Sequence, residues 1–131
     1  MFSYSQEYSF SFSPSYPQGA SKLQGVYKII TLCGSTRFKD DFTQVHKELT
    51  LKGFIVISVG LFGHSGDAEA LSPETKFMLD DMHKRKIDMA DEIFVINPGG
   101  YIGSSTQSEI DYAVTTGKPV TYYHQIQSGG F

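Results

Sequence analysis

Four short apolar runs, separated by segments of helical spacing, constrain this chain more than any other feature of its sequence. The first, residues 27–33 (YKIITLC), is unbroken and β-branched, the texture of a strand covered on both faces. Gly34-Ser35-Thr36 ends it, and either hydroxyl can cap a helix. Phe42, Val45 and Leu49 recur at helical spacing until Gly53 stops the pattern. Residues 54–58 (FIVIS) read as a second strand, and residues 60–72 as a glycine-rich loop to which Asp67 and Glu69 add charge. Ser72-Pro73-Glu74-Thr75 predicts a helix start, with Ser72 as cap and Pro73 at the first helical position. That helix runs through Phe77, Met78 and Met82 towards Met89, and residues 92–97 (EIFVIN) form a third strand. Residues 98–103 break all periodicity. A helix follows from about Ser105 through Ile110, Ala113 and Val114 to Gly117, and residues 119–123 make a last strand. The order β-α-β-α-β-α-β implies a parallel sheet with right-handed crossovers. The expected fold is therefore α/β, a small Rossmann-like or flavodoxin-like sheet of four to five strands with helices on both faces.

Residues 1–24 differ from the rest. Serine alternates with aromatics through Ser9-Phe10-Ser11-Phe12-Ser13, and Pro14, Pro17 and Gly19 follow. Alternation is compatible with a strand added to an edge or to a partner. The prolines, the glycine and the lack of aliphatic residues favour a mobile or loosely docked tail. Residues 25–131 are expected to form one domain, as a chain of 131 residues leaves little room for a second. A net charge of −3 argues against a dedicated nucleic-acid binder. The one basic cluster, His83-Lys84-Arg85-Lys86, reads as a solvated helix face. A single cysteine, Cys33, allows no intrachain disulfide and points to a reducing compartment. With no apolar run long enough to span a bilayer and no signal-peptide pattern, a cytoplasmic protein without a membrane partner is expected.

Ligands of open parallel sheets sit beyond the carboxyl ends of the strands. Two strand ends here carry loops suited to holding one. After the first, Gly34 permits close backbone approach, Ser35 and Thr36 offer hydroxyls, and Arg37 can grip a phosphate or carboxylate in two places. A capped turn with a surface arginine is the bland alternative. After the third strand, residues 97–106 (NPGGYIGSST) hold three glycines and three hydroxyl residues, more than a tight βα turn needs. Such a loop can wrap a sugar or phosphate with backbone N–H groups. Glu109, one turn into the next helix, can serve as a nucleophile or base, or can simply complement the helix dipole. Asp80, Asp81, Asp88 and Asp91 are the other acids considered. Asp80 and Asp81 point in different directions on a helix, so at most one faces a pocket, and Asp91, just before a strand, reads as structural. His46, His64, His83 and His124 show no metal-ligand spacing with the acids or Cys33, so neither a metal nor a cofactor is expected.

The stretches Cys33-Gly34-Ser35-Thr36-Arg37, residues 89–96 (MADEIFVI) and residues 105–113 (STQSEIDYA) with Gly117-Lys118-Pro119-Val120 resemble the nucleoside 2-deoxyribosyltransferase superfamily. That superfamily includes the 2′-deoxynucleoside 5′-phosphate N-hydrolases. The resemblance covers about residues 28–123. It implies cleavage or exchange of an N-glycosidic bond in a nucleoside or its 5′-monophosphate. Glu109 would be the nucleophile in the pattern E-[IL]-x-x-A, matched by Glu109-Ile110-Asp111-Tyr112-Ala113. Transferases of the group carry an aspartate six residues earlier, where this chain has Gly103. The phosphohydrolases bind the 5′-phosphate through glycine and serine groups, which Gly103, Ser104 and Thr106 could supply. A further acid from the helix before the third strand would be Asp81 or Asp80, and Asn97, Gly100, Ser35 and Arg37 complete the implied sugar, base and phosphate contacts. A homo-oligomer, dimer or tetramer, is implied as well. Pro98-Gly99-Gly100-Tyr101 with Thr106 and Glu109 is more loosely similar to the PGGxGTxxE signature of phosphoribohydrolases that release cytokinin bases, with three extra residues before the glutamate. A binding module that senses a nucleotide without cleaving it is the rival reading, since one fold hosts both.

Overall fold

The strand β1 (Ile29–Gly34) is buried along its whole centre because its side chains alternate between two covered faces. In the computed structural model, which describes residues 24–63 and 71–125, Ile30 and Leu32 point to one face and Cys33 to the other. The tail reading and the charged part of the glycine-rich loop lie outside the described residues. The remaining elements are α1 (Lys39–Leu51), β2 (Ile55–Ile57), α2 (Pro73–Asp88), β3 (Glu92–Ile96), α3 (Ser104–Thr115) and β4 (Val120–Tyr122). One 3-10 turn, Pro98–Gly100, stands between β3 and α3. The four strands form one parallel sheet in the order β2-β1-β3-β4, a small α/β fold of the Rossmann-like or flavodoxin-like kind.

Each face of the sheet has its own core. On one, α1 lays Phe42, Val45 and Leu49 against Ile30, Leu32, Phe94 and Ile96. On the other, α2 contributes Ile87 and α3 contributes Ile110 and Ala113 to a cluster with Cys33, Ile93 and Val95. Full burial of each such aliphatic or aromatic side chain contributes about 1.5–3 kcal/mol, which is why β1 and β3, covered on both faces, carry the sheet. Thr31 ties β1 to the end of α2, its hydroxyl donating to the Lys86 carbonyl at 2.9 Å. Asp91 accepts the Ile29 N–H at 2.8 Å, in keeping with a structural role.

Helix starts differ in kind. Ser72 caps α2 as the sequence predicts, accepting the Thr75 N–H at 3.0 Å with Pro73 in the first position. Neither Ser35 nor Thr36 caps α1. The Ser35 hydroxyl instead accepts from the Arg37 backbone N–H and Nε, the chain makes a turn there, and the helix begins only at Lys39. The side of α2 carrying Phe77, Met78 and Met82 is exposed, so its apolar spacing does not mark its buried face. Among the described residues no helix is long and apolar enough to cross a membrane.

From β1 the chain moves outward to β2, returns across to β3 and continues the other way to β4. The direction of winding therefore reverses between β1 and β3. That crevice, at the carboxyl ends of both strands, is where open α/β sheets take their ligands.

Candidate active site

A cleft of about 600 Å³ opens at that crevice, a volume ordinary for a small-molecule site. Its walls include Gly34 to Arg37 after β1 and Gly103 to Thr106 at the start of α3, with Glu109 one turn deeper. The two loops that the sequence singled out thus share one cavity. They also touch. The Arg37 guanidinium carbon lies 4.4 Å from the Tyr101 ring centroid, and Phe38 meets the same ring edge-on at 5.9 Å. With its Nε bonded to Ser35 Oγ at 3.1 Å, Arg37 is held between the loops, a cation already oriented for an anion. Across the cleft the start of α3 has no side-chain cap, and residues of its first turn line the cavity. Unpaired first-turn N–H groups favour negative charge.

Gly34 has a role beyond ligand approach. A Cβ there would stand 2.7 Å from the Ile96 carbonyl oxygen, so glycine is what lets β1 and β3 close together at the cleft floor. Asn97 and Gly100 do not line the cleft. Asn97 is fully buried and staples the end of β3 to the chain after β4, donating to the His124 carbonyl at 3.1 Å and accepting its N–H at 2.8 Å. Gly100 sits in the 3-10 turn at a φ of 86° that favours glycine.

Helical geometry decides among the acids of α2. His83 and Ile87, four residues apart, share the buried face. Asp80, three residues before His83, therefore reaches the cleft wall, whereas Asp81 projects to solvent and pairs with Arg85 at 3.7 Å. The basic cluster is not uniformly solvated. His83 is buried, and Lys86 lines the cleft while its Nζ donates to the Ser58 carbonyl at 2.9 Å. The residue of α2 that meets Glu109 is His83, its Nε2 lying 4.0 Å from Glu109 Oε1.

His83 Nε2 is also 3.0 Å from the Leu32 carbonyl oxygen and 3.5 Å from Cys33 Sγ. A carbonyl cannot donate, so Nε2 carries the ring proton and gives it to Leu32. The Cys33 thiol is then free to donate to the Glu109 carboxyl, an oxygen of which lies within 4.8 Å of Sγ. Burial dominates the proton affinities. It pushes Glu109 up to about 7, with Asp80 adding to the rise while the Cys33 bond, Lys84 and Lys86 oppose it. It pushes His83 down to about 4, assisted by the Lys86 charge, against the Leu32 bond and Asp80. It pushes the Cys33 thiol well above its ordinary value, and the Glu109 charge adds to that. Glu109 and His83 lie within ion-pair distance, yet the imidazole is neutral wherever Glu109 is ionised, so they form no ion pair.

Comparison with protein-family models and with curated proteins gives no match to this chain. What the cleft can do follows from its own groups: a buried, titratable carboxyl at the floor, an anchored arginine and a helix start at one end, and an apolar wall of Val59, Leu61, Leu79 and Met82. Sequence reasoning missed Cys33, His83 and Tyr101 as site residues. Tyr101 had a signal, an aromatic in the middle of a glycine-rich loop. Cys33 and His83 had none, because fifty residues separate them and only the β1–α2 packing joins them. Their ligand atoms and that of Glu109 lie within 4.8 Å of one another. A cation there would have to displace the Nε2 proton and break its bond to Leu32.

Proposed function

We propose that this chain cleaves or exchanges the N-glycosidic bond of a (deoxy)nucleoside or its 5′-monophosphate, with Glu109 as the nucleophile. The observation that carries the reading is the place of Glu109, a carboxyl group on the cleft floor between the two loops that can hold a phosphorylated sugar. The ionised carboxylate attacks the anomeric carbon while the C–N bond breaks, its electron pair leaving with the base, which takes up a proton. A glycosyl ester of Glu109 results. Water, or a second base in an exchange, attacks the same carbon, and the ester bond breaks to restore the carboxylate. Ser35, Arg37, Gly103, Ser104 and Thr106 would hold the phosphate and sugar, with the apolar wall left for the base. Gly103 supplies no carboxylate for a sugar hydroxyl, which favours hydrolysis of a 5′-monophosphate over transfer.

A panel of nucleosides and 5′-monophosphates, followed by chromatography for free base, tests this. The wild type is expected to release base from at least one of them, and Glu109→Gln to abolish that release. A second reading is favoured by the proton affinity of Glu109. With its midpoint at about 7, much of it is protonated at neutral pH, where it can donate a hydrogen bond to a ligand rather than attack one. Nucleotide binding with no base released from any substrate would overturn the enzyme and leave a sensing module.

A further inference from the structure

Glu109 does not stand alone on the cleft floor. Three elements converge on it, and each brings a group of different chemistry. β1 brings the thiol of Cys33, α2 brings the imidazole of His83, and α3 carries the carboxyl itself. The contacts run as a chain. The Leu32 carbonyl takes the Nε2 proton of His83 at 3.0 Å, which fixes the ring. The ring edge lies 3.5 Å from Cys33 Sγ with its proton committed to Leu32, so the thiol proton is not needed by the ring and has the Glu109 carboxyl, within 4.8 Å of Sγ, as an acceptor. The same ring edge lies 4.0 Å from Oε1, against the carboxyl on its α2 side.

We propose that Cys33 and His83 are a positioning pair for Glu109: the thiol orients the carboxylate, and the imidazole, pinned to the Leu32 carbonyl, holds the thiol and shields the carboxylate from water. This rests on Glu109 being the reacting group, but the arrangement can be read without any substrate. The two partners act on Glu109 in opposite senses. A hydrogen bond from the thiol stabilises the carboxylate, whereas the shielding imidazole stabilises the neutral acid by keeping it dry. Among the described residues the charged groups that face Glu109 are Asp80, Lys84 and Lys86, all on α2, and neither substitution below alters them.

The test is a ¹³C NMR titration of the Glu109 side-chain carboxyl in the full chain labelled with ¹³C-glutamate, its signal assigned by loss in Glu109→Gln. The wild-type midpoint is expected near 7. Cys33→Ala is expected to raise it by about half a unit to one unit, the worth of one hydrogen bond to the charged form. Cys33→Ser, which restores a donor, is expected to return it to the wild-type value or below. His83→Ala opens the wall to water and is expected to lower it by about one unit or more, towards the ordinary carboxyl range. Base release, where found, should show its acid limb moving in the same directions. A role in packing alone would not give shifts of opposite sign. If Cys33→Ala and His83→Ala leave the midpoint unmoved, or move it the same way, the pairing is wrong. Should His83→Ala fail to fold, the cysteine variants decide: a rise in Cys33→Ala reversed in Cys33→Ser supports the pair, and equal midpoints overturn it. Because the titration needs no turnover, its failure is distinct from an absence of glycosidase activity.

Discussion

Glu109 and His83 make opposing demands on the pH dependence of folding, and Glu109→Gln should expose the hidden half. The folded state raises Glu109 from 4.5 to about 7. A raised value means stability that is fully present below the unfolded midpoint and lost as pH climbs through the folded one. Between pH 5 and pH 8 the Glu109 contribution therefore falls, by about 2–3 kcal/mol. The folded state lowers His83 from 6.5 to about 4. A depressed value means stability present above the unfolded midpoint and lost as pH falls towards the folded one, so between pH 5 and pH 8 this contribution rises, by about 2 kcal/mol. In the wild type the two contributions oppose each other across this range.

Glutamine keeps the shape and burial of Glu109 but cannot ionise. Where folded His83 takes up its proton, at about 4, Glu109 is already neutral, so the histidine contribution survives the substitution. Urea unfolding of both proteins at pH 5, 6, 7 and 8 gives the comparison. The stability of Glu109→Gln relative to wild type is expected to rise by about 2–3 kcal/mol across that range, most of it below pH 7, with groups common to both proteins dropping out of the difference. A relative stability that is flat with pH would mean that Glu109 titrates like an exposed carboxyl. A fall would mean that its charge is stabilised by the site, and either result refutes the buried, neutral carboxyl at the cleft floor.

Gly34→Ala is expected to cost about 1–3 kcal/mol in chemical denaturation, because the added methyl meets the Ile96 backbone oxygen rather than a side chain that could move aside; a neutral result would show that β1 and β3 are less closely joined at the cleft. Tyr101→Ala frees the Arg37 guanidinium and should weaken calorimetric binding of a nucleoside 5′-monophosphate by about 2- to 5-fold, the worth of an exposed cation–π contact. An unchanged affinity would take Arg37, or its anchoring, out of anion binding.

The fold was legible because its signals are local. Residues 27–33 read as a doubly covered strand from their unbroken β-branched texture and residues 92–97 as a third strand, and the four strands and three helices of the sheet follow the expected alternation. The helix start at Ser72 was legible for the same reason, since cap and first proline are neighbours. The start of α1 was not. Its hydroxyls had two acceptor roles open to them, and Ser35 took the one that serves Arg37. The wider failure lies on α2. Phe77, Met78 and Met82 carry the helical spacing, yet all three are exposed, Met82 along the cleft wall, while the buried positions fall to His83 and Ile87. No period in the sequence marks that rotation, which is set by where Thr31 fastens the Lys86 carbonyl and by Ile87 packing under the sheet.

That rotation governs the chemistry. Turning α2 so that Ile87 enters the core carries His83 inward with it, brings Asp80 to the cleft wall and sends Asp81 to solvent, so of the two aspartates the sequence left open Asp80 is the one on the cleft, while the α2 group 4.0 Å from Glu109 is an imidazole. An aspartate at position 83 would place two carboxyls side by side in a poorly hydrated floor, each opposing ionisation of the other. A neutral imidazole spending its one proton on a backbone carbonyl leaves Glu109, of the three groups that meet there, as the one able to gain a negative charge near neutral pH, for the Cys33 thiol is pushed well above its ordinary value. The cleft floor is thereby left with one titrating carboxyl and two partners that stay neutral around it.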